Sequence, residues 1–186
     1  MLTGPAANVD FVQADITSNS STDRAFEKPW PPSVERLPLT VFHTAAVIVP
    51  SERLKPEYAF TEAVNVHGTQ LVLSAARLAG ADVFVYTSSG SISIRPVELW
   101  VPPYKLGSWP NHYAQRMDEA DFFKPVRERH EFFANYPASK AVAERMVCAA
   151  NGATLRTGAI RPCHGVYGHP TDNTVGGPLN MGVLPA

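Results

Sequence analysis

Residues 79–90 read AGADVFVYTSSG and hold three structural features in succession. Gly80 is a residue type that commonly ends a helix. Residues 82–87 are rich in β-branched and aromatic side chains and are apolar at successive positions, which predicts a strand covered on both faces. Ser88, Ser89 and Gly90 then predict a turn at the carboxyl end of that strand. A helix followed at once by such a strand is typical of an α/β protein.

The same alternation continues on both sides of this stretch. Further strands are predicted at 9–13, 40–43 and 153–160, and helices at about 56–79 and from Pro137 to about 151–152. Strands that alternate with helices predict a doubly wound, Rossmann-like parallel sheet with flanking helices, and 186 residues fit one domain over 1–186. Two proline-rich stretches interrupt the pattern. Residues 29–38 predict a surface connection, and residues 95–135 predict an insertion that acts as a lid or is disordered.

Composition and charge exclude several classes of protein. Sixteen basic and 17 acidic residues give a net charge of -1, so no nucleic-acid partner is expected. The longest apolar run, residues 44–50, is far shorter than the ~18 residues of a spanning helix, so no membrane span is expected in this chain. No signal peptide is recognisable at the start, which favours a cytoplasmic location, with membrane association of a full-length protein left open.

The histidines, cysteines and the Asn-Ser-Ser triplet give little indication of a metal site, a disulfide or a glycan. Six histidines lack the spacing of a metal motif, so no metal site is expected. Cys148 and Cys163 predict small thiols that are buried or half-buried, without a disulfide. Asn19 begins an Asn-Ser-Ser triplet that fits a glycosylation acceptor, although such triplets often arise by chance.

The strongest chemical indication is Tyr136 and Lys140 in the sequence YPASK, at the predicted start of a helix. Residues four apart share one helix face, so the ammonium is close enough to act on the phenol. An unperturbed phenol titrates near pH 10, and a neighbouring cation lowers that pKa. This pair therefore predicts a general acid/base with its tuning residue, and the alternative is a solvated helix face.

Ser88 and Ser89 lie at the carboxyl end of the strand at 82–87, where open α/β sheets place their ligands. A serine hydroxyl there can hydrogen-bond a substrate carbonyl or alkoxide beside the phenol. The alternative is that both serines only begin a turn, which is common for Ser-Ser-Gly.

Six segments in order carry a resemblance to a known family: 11–17 (FVQADIT), 41–46 (VFHTAA), 64–69 (VNVHGT), 85–89 (VYTSS), 136–140 (YPASK) and 161–168 (RPCHGVYG). With these segments the chain resembles the extended short-chain dehydrogenase/reductase superfamily. Within it, the chain is most similar to the 3-beta-hydroxysteroid dehydrogenase/isomerase group. The resemblance covers about residues 9–168.

This resemblance implies roles for individual residues. Ser89 would orient the substrate oxygen, with Ser88 as the alternative, Tyr136 would exchange its proton, and Lys140 would lower the pKa of the tyrosine and bind the nicotinamide ribose. Asn65 would support the active-site helix, or else be a solvated polar residue. The other residues implied to contact NAD or NADP are Asp15 and Ile16 at the adenine, Thr44, Ala45 and Ala46 at the adenine-side ribose and pyrophosphate, Thr87 at the nicotinamide, and Pro162 and Cys163 at its carboxamide.

The family's glycine-rich turn is absent from this sequence, which contains no GxxGxxG. We therefore expect a central piece of a longer enzyme, without the first two strands of the sheet and most of the C-terminal substrate region. Residues 9–13 would then lack a natural partner strand. We also expect this chain to bind the nicotinamide cofactor weakly or not at all.

The function implied by the resemblance is hydride transfer between NAD(P) and a secondary alcohol or ketone, on a small steroid- or sterol-like molecule. Alternatives are a flavonoid-ketone reductase or nucleotide-sugar epimerase of the same superfamily, and a catalytically inactive module or regulatory subunit. A homodimer is expected by analogy alone.

Overall fold

The computed structural model of the protein describes residues 9–49, 57–100, 104 and 110–163. Three parallel strands, β1 (Thr40–His43), β2 (Val83–Thr87) and β3 (Arg156–Ile160), form a sheet in the order β1-β2-β3. The central strand pairs Phe84 with Val41 on one side and with Thr157 on the other. The predicted parallel α/β sheet is therefore confirmed, with β1 and β2 close to their predicted bounds and β3 shorter at its start.

Four α-helices accompany the sheet in the described residues: α1 (Asn19–Phe26), α2 (Tyr58–Glu62), α3 (Thr69–Leu78) and α4 (Asn135–Ala149). A π-helical turn, Ala63–Gly68, joins α2 to α3, so the helix predicted at about 56–79 contains an irregular middle turn, and its first residue lies outside the described residues. Gly80 follows α3 with a φ of 72°, a left-handed conformation that glycine adopts without strain. That conformation ends the helix where the sequence predicted its end.

The short helix α1 was not predicted, because its sequence NSSTDRAF is polar and has no long apolar stripe. Its start is nevertheless built from local hydrogen bonds. The hydroxyl of Ser18 caps the helix by accepting a hydrogen bond from the amide N–H of Ser21. The hydroxyl of Thr22 donates a second hydrogen bond to the Ser18 carbonyl, at 3.0 Å. The hydroxyl of Ser21 also accepts the amide N–H of Asp15 at 2.9 Å, which ties the preceding loop to the start of α1.

The core lies between the sheet and the pair α3 and α4. Phe84 and Tyr86 project from β2 into this core and are no more than 1% exposed. The opposite face of the sheet is open in the described part of the chain, since Phe42 is 68% and Ile160 57% exposed. The apolar sequence of the central strands predicted that both faces of the sheet are covered. In the described residues only the face toward α3 and α4 is covered. The main core consists of Val72, Leu73, Ala76, Ala81, Phe84, Tyr86, Ala143, Val147 and Leu155.

Residues 9–13 were predicted to be a strand, and this prediction is wrong: they form no secondary structure. Phe11 is 82% and Val9 61% exposed. A strand gains its backbone hydrogen bonds only from a neighbouring strand, and these residues have none beside them in the described chain. The apolar composition alone could not supply that partner.

The predicted surface connection at 29–38 is confirmed, since these residues form turns and are largely exposed. The described parts of the 95–135 insertion contain two short 3-10 turns, Glu119–Phe123 and Arg129–Glu131. No helix in the described ranges is both long and apolar enough to cross a bilayer.

Candidate active site

Tyr136 and Lys140 lie on the first turns of α4, which begins after Ala134 and places Pro137 in its first turn. The Lys140 side chain is buried, and its Nζ lies 5.9 Å from the centre of the Tyr136 ring. The same Nζ donates a hydrogen bond of 2.7 Å to the carbonyl of Thr87, the last residue of β2. The two side chains therefore share one helix face, and that face meets the carboxyl end of the central strand.

Ser89 is the serine that acts on the phenol. Its side chain lies near Tyr136 and acts to lower the pKa of the phenol. Its hydroxyl also accepts a hydrogen bond from the amide of Ser91 at the start of a 3-10 turn, Gly90–Ser93. Ser88 is buried, and its hydroxyl has no hydrogen-bond partner among the residues that the structure describes. The pattern Ser-Ser-Gly does begin a turn, but one of its two hydroxyls also lies near Tyr136.

The pKa values of this cluster are set mainly by burial. Burial raises the pKa of Tyr136 above its usual value, and the nearby Ser89 hydroxyl only partly opposes this. Burial lowers the pKa of Lys140 to about 8. The expected lowering of the Tyr136 pKa by Lys140 is therefore not seen in the protein alone, because the ammonium donates to Thr87 and the phenol is partly desolvated.

Asn65 links helix α4 to the loop that follows β1. It is 1% exposed, so the alternative of a solvated residue is wrong. Its Nδ2 donates to the Val47 carbonyl and to Ser139 Oγ, both at 3.0 Å, and its Oδ1 accepts the Val47 amide at 2.9 Å. Ser139 in turn donates to the carbonyl of Tyr136 at 2.7 Å. The position of Tyr136 thus depends on a chain of buried hydrogen bonds.

His43 is a buried member of the site that the sequence analysis did not single out. Its Nε2 lies 2.9 Å from the hydroxyl of Thr69, which donates to the Asn65 carbonyl at 2.7 Å. Because that hydroxyl proton is used, the imidazole is the donor in this pair. Burial and the charge of Lys140 lower the pKa of His43 to about 4, so the ring is neutral at physiological pH. The one sequence feature that indicated a role for His43 in the site was its position at the end of a predicted strand, in the sequence HTAA.

The residues that the resemblance assigned to the cofactor lie in two groups. Thr44, Ala45, Ala46, Thr87, Pro162 and Cys163 follow or end the three strands, and in a parallel sheet these carboxyl ends share one edge. Pro162 is joined to the serine turn, since its carbonyl accepts the amide of Gly90 at 2.9 Å. Cys148 is half-buried as predicted, whereas Cys163 is exposed at the strand edge, contrary to prediction.

The second group is Asp15 and Ile16, next to the π-helical turn. The side chain of Asp15 accepts the hydroxyl of Thr17 at 2.7 Å and its amide at 2.9 Å, and these bonds lower the pKa of the carboxyl. A Cβ on Gly68 would lie 2.9 Å from Cδ1 of Ile16, which explains a glycine at that close approach. The loop before α1 is thereby held against the helix that carries Asn65.

The match to a family model decides the family. Residues 5–177 match the model described as the 3-beta hydroxysteroid dehydrogenase/isomerase family. The chain belongs to this family. Its relatives include the 3 beta-hydroxysteroid dehydrogenase/Delta 5-->4-isomerase of Mycobacterium tuberculosis, 36% identical over 134 residues, which are 70% of this chain and 30% of that protein. Human 3 beta-hydroxysteroid dehydrogenase type 7 is 35% identical over 172 residues, 89% of this chain and 38% of its own length.

Solved structures show the same fold at lower identity. The UDP-glucose 4-epimerase of Thermus thermophilus, in complex with NAD, has a TM-score of 0.54 and 24% identity, over 86% of this chain and 43% of that one. The enzyme WbmG of Bordetella bronchiseptica, in complex with NAD and UDP, has a TM-score of 0.52 and 22% identity, over 84% and 39% of the two chains. This chain spans less than half the length of these relatives and structures.

Proposed function

We propose that this chain carries the proton-transfer part of a hydride-transfer site, in an NAD(P)-dependent oxidoreductase that acts on a secondary alcohol or ketone of a steroid- or sterol-like molecule. The observation that supports this most directly is the closeness of Tyr136 to Lys140 and to Ser89, at the carboxyl edge of a parallel sheet. Three polar groups of complementary chemistry meet at the edge where such sheets bind their ligands.

In this proposal Tyr136 donates its proton to the oxygen of a ketone during reduction and takes it back during oxidation. Because burial raises the pKa of Tyr136, the phenol is protonated at neutral pH and ready to donate. Ser89 orients the substrate oxygen beside the phenol. Lys140, which is held by the Thr87 carbonyl, supplies a positive charge that stabilises the phenolate left after the transfer.

A nicotinamide cofactor would supply or accept the hydride. Thr44 and Ala45 are exposed beyond β1, and Pro162 and Cys163 beyond β3, so these backbones are open to a ligand on either side of Thr87. The exposed carboxylate of Asp15 suits the hydroxyl groups of an adenosine. These residues fit the adenine-to-nicotinamide direction of NAD or NADP that the resemblance implies. The NAD in two structures of similar fold supports the same cofactor class.

The substrate class rests on the relatives. Their printed names describe a 3 beta-hydroxysteroid dehydrogenase and, in Schizosaccharomyces pombe, a decarboxylating sterol-4-alpha-carboxylate 3-dehydrogenase that is 29% identical over 167 residues, 90% of this chain and 39% of that protein. Both names place the reaction at a ring carbon that bears an alcohol or ketone. A steroid ketone is therefore the first substrate to test.

The test uses the whole chain with a 3-ketosteroid and NADH or NADPH at millimolar concentration, so that cofactor affinity does not limit turnover. Turnover is followed by the loss of reduced-cofactor absorbance. We expect Tyr136→Phe to reduce the rate at least ~100-fold while cofactor affinity changes little. Tyr104→Phe, the same change on a side chain that is 83% exposed, is the control and should keep the rate. Turnover by the unaltered chain no faster than by Tyr136→Phe would overturn the proposal.

The second candidate is a binding or regulatory module without turnover of its own. It predicts that the unaltered chain is inactive and co-purifies with a chain that contains GxxGxxG.

A further inference from the structure

Arg161 lies at the end of β3 and is enclosed by two carboxylates. Its Nε and Nη2 donate to Glu144, at 2.9 and 2.5 Å, and its Nη1 donates to Asp121 at 2.6 Å. Only 17% of the Arg161 side chain and 3% of the Glu144 side chain are exposed. Burial alone would lower the pKa of Arg161, but the hydrogen bonds that it donates to Glu144 and Asp121 raise this pKa above its usual value. The guanidinium therefore stays charged and fixed in direction.

Glu144 belongs to the catalytic helix, one turn beyond Lys140. Successive turns of this helix are thus fastened to different elements of the fold. Ser139 accepts a hydrogen bond from Asn65, and Lys140 donates one to the Thr87 carbonyl at the end of β2. Glu144 accepts hydrogen bonds from Arg161, which follows β3. The first two bonds belong to the site already described. The hydrogen bonds from Arg161 join α4 to the end of β3, and farther along α4 the hydroxyl of Thr157 on β3 donates to the Val147 carbonyl at 2.6 Å.

The residue that follows Arg161 contacts the serine turn. The Pro162 carbonyl accepts the amide of Gly90 at 2.9 Å, and a Cβ on Gly90 would lie 3.1 Å from Cys163 Sγ. Gly90 directly follows Ser89. A shift of Arg161 would therefore move α4 on one side and the Ser89 turn on the other.

Asp121 brings part of the insertion into the same network. Its Oδ2 accepts the hydroxyl of Ser93 at 2.9 Å, and Arg145 on α4 donates to the carbonyls of Asp121 and Lys124, at 3.1 and 2.6 Å. The 3-10 turn Glu119–Phe123 is thus attached to α4 and to the end of β3. This turn forms a fixed wall beside the catalytic helix.

We propose that Arg161 is a positioning residue, which sets the distance between the Tyr136–Lys140 pair and Ser89 by holding Glu144 while Pro162 holds the serine turn. This inference rests on the proposed function for its catalytic consequence and on the contacts above for its geometry. Asp121 orients the guanidinium. A planar arginine can bridge two carboxylates in this way, whereas the point charge of a lysine cannot bind Glu144 through two parallel hydrogen bonds.

The test combines hydrogen exchange with kinetics on the whole chain. Arg161→Met should speed amide exchange at least tenfold at Gly90 and in the first turns of α4, while β2 keeps its protection. Arg156→Met is the matched control, because Arg156 begins the strand that Arg161 follows but is exposed, and this change should leave exchange at these places unchanged. Turnover of Arg161→Met should fall at least tenfold, with less than a threefold change in the cofactor KM.

Two milder variants cover the case in which Arg161→Met does not fold. Arg161→Lys keeps the charge and Glu144→Gln keeps the shape, and both should show the same local loss of protection to a smaller degree. Unchanged exchange in all variants, or an equal acceleration throughout β2, would overturn the inference, since the second result describes a general stability effect. A failure of the proposed function would appear differently: the unaltered chain would lack turnover while the local exchange pattern persisted.

Discussion

Replacing Lys140 by Met should stabilise the protein at neutral pH. Burial lowers the pKa of Lys140 from 10.5 to about 8, so the folded chain holds this proton less tightly than the unfolded chain. Each pKa unit corresponds to about 1.36 kcal/mol, which gives a cost of about 3 kcal/mol at pH 7. Loss of the hydrogen bond to the Thr87 carbonyl offsets about 1 kcal/mol of this. We therefore expect Lys140→Met to unfold with a free energy about 2 kcal/mol higher.

The gain should depend on pH in a defined direction. Between pH 8 and 10.5 the unfolded chain binds more protons, so the stability of the unaltered protein rises with pH and the cost of Lys140 disappears. The difference between Lys140→Met and the unaltered chain should fall to about 1 kcal/mol at pH 9. Urea unfolding at pH 7, 8 and 9 measures it, with Lys124→Met, at an exposed lysine, as the control. A difference that is zero at pH 7, or constant across this range, would refute the reasoning.

Three further outcomes follow from the site. Asn65→Ala removes three hydrogen bonds of a buried side chain and should lower the free energy of unfolding by about 3 kcal/mol, measured by urea titration. A loss below about 1 kcal/mol would contradict the role of this residue. Ser88→Ala should leave the free energy of unfolding unchanged or raise it by up to about 1 kcal/mol, because the Ser88 hydroxyl is buried without a partner among the described residues. Ser89→Ala should instead slow turnover. The reverse result would exchange the roles of the two serines. The rate of ketone reduction should be constant near neutral pH and fall above about pH 8, because Lys140 then loses its proton. A rate that rises through pH 9 would show that the charge of Lys140 does not assist the reaction.

The parts of the fold that are local in sequence could be predicted. β2 is a continuous apolar run bounded by a helix end and a serine turn, and Gly80 marks that helix end by its residue type. Residues 9–13 have a similar apolar character but form no strand, because pairing depends on a neighbour that composition does not specify. The helix α1 shows the opposite case, in which local caps form a helix without an apolar stripe.

The candidate site divides in the same way. Tyr136 and Lys140 are four residues apart, so a helix brings them together by its own geometry. The contacts that fix them are distant in sequence: Asn65 reaches Ser139 across 74 residues, and His43 reaches Thr69 across 26. The direction of the Tyr136 pKa shift also depends on how deeply the tertiary structure buries the phenol.

Transfer of isotopically labelled hydride tests the central claim most directly. The whole chain is incubated with a 3-ketosteroid and NADH or NADPH carrying deuterium at the transferred position, and the product is analysed by mass spectrometry. The account predicts an alcohol with one deuterium on the carbinol carbon, formed by the unaltered chain and at least ~100-fold more slowly by Tyr136→Phe. An alcohol without deuterium, or equal labelling by both proteins, would contradict it.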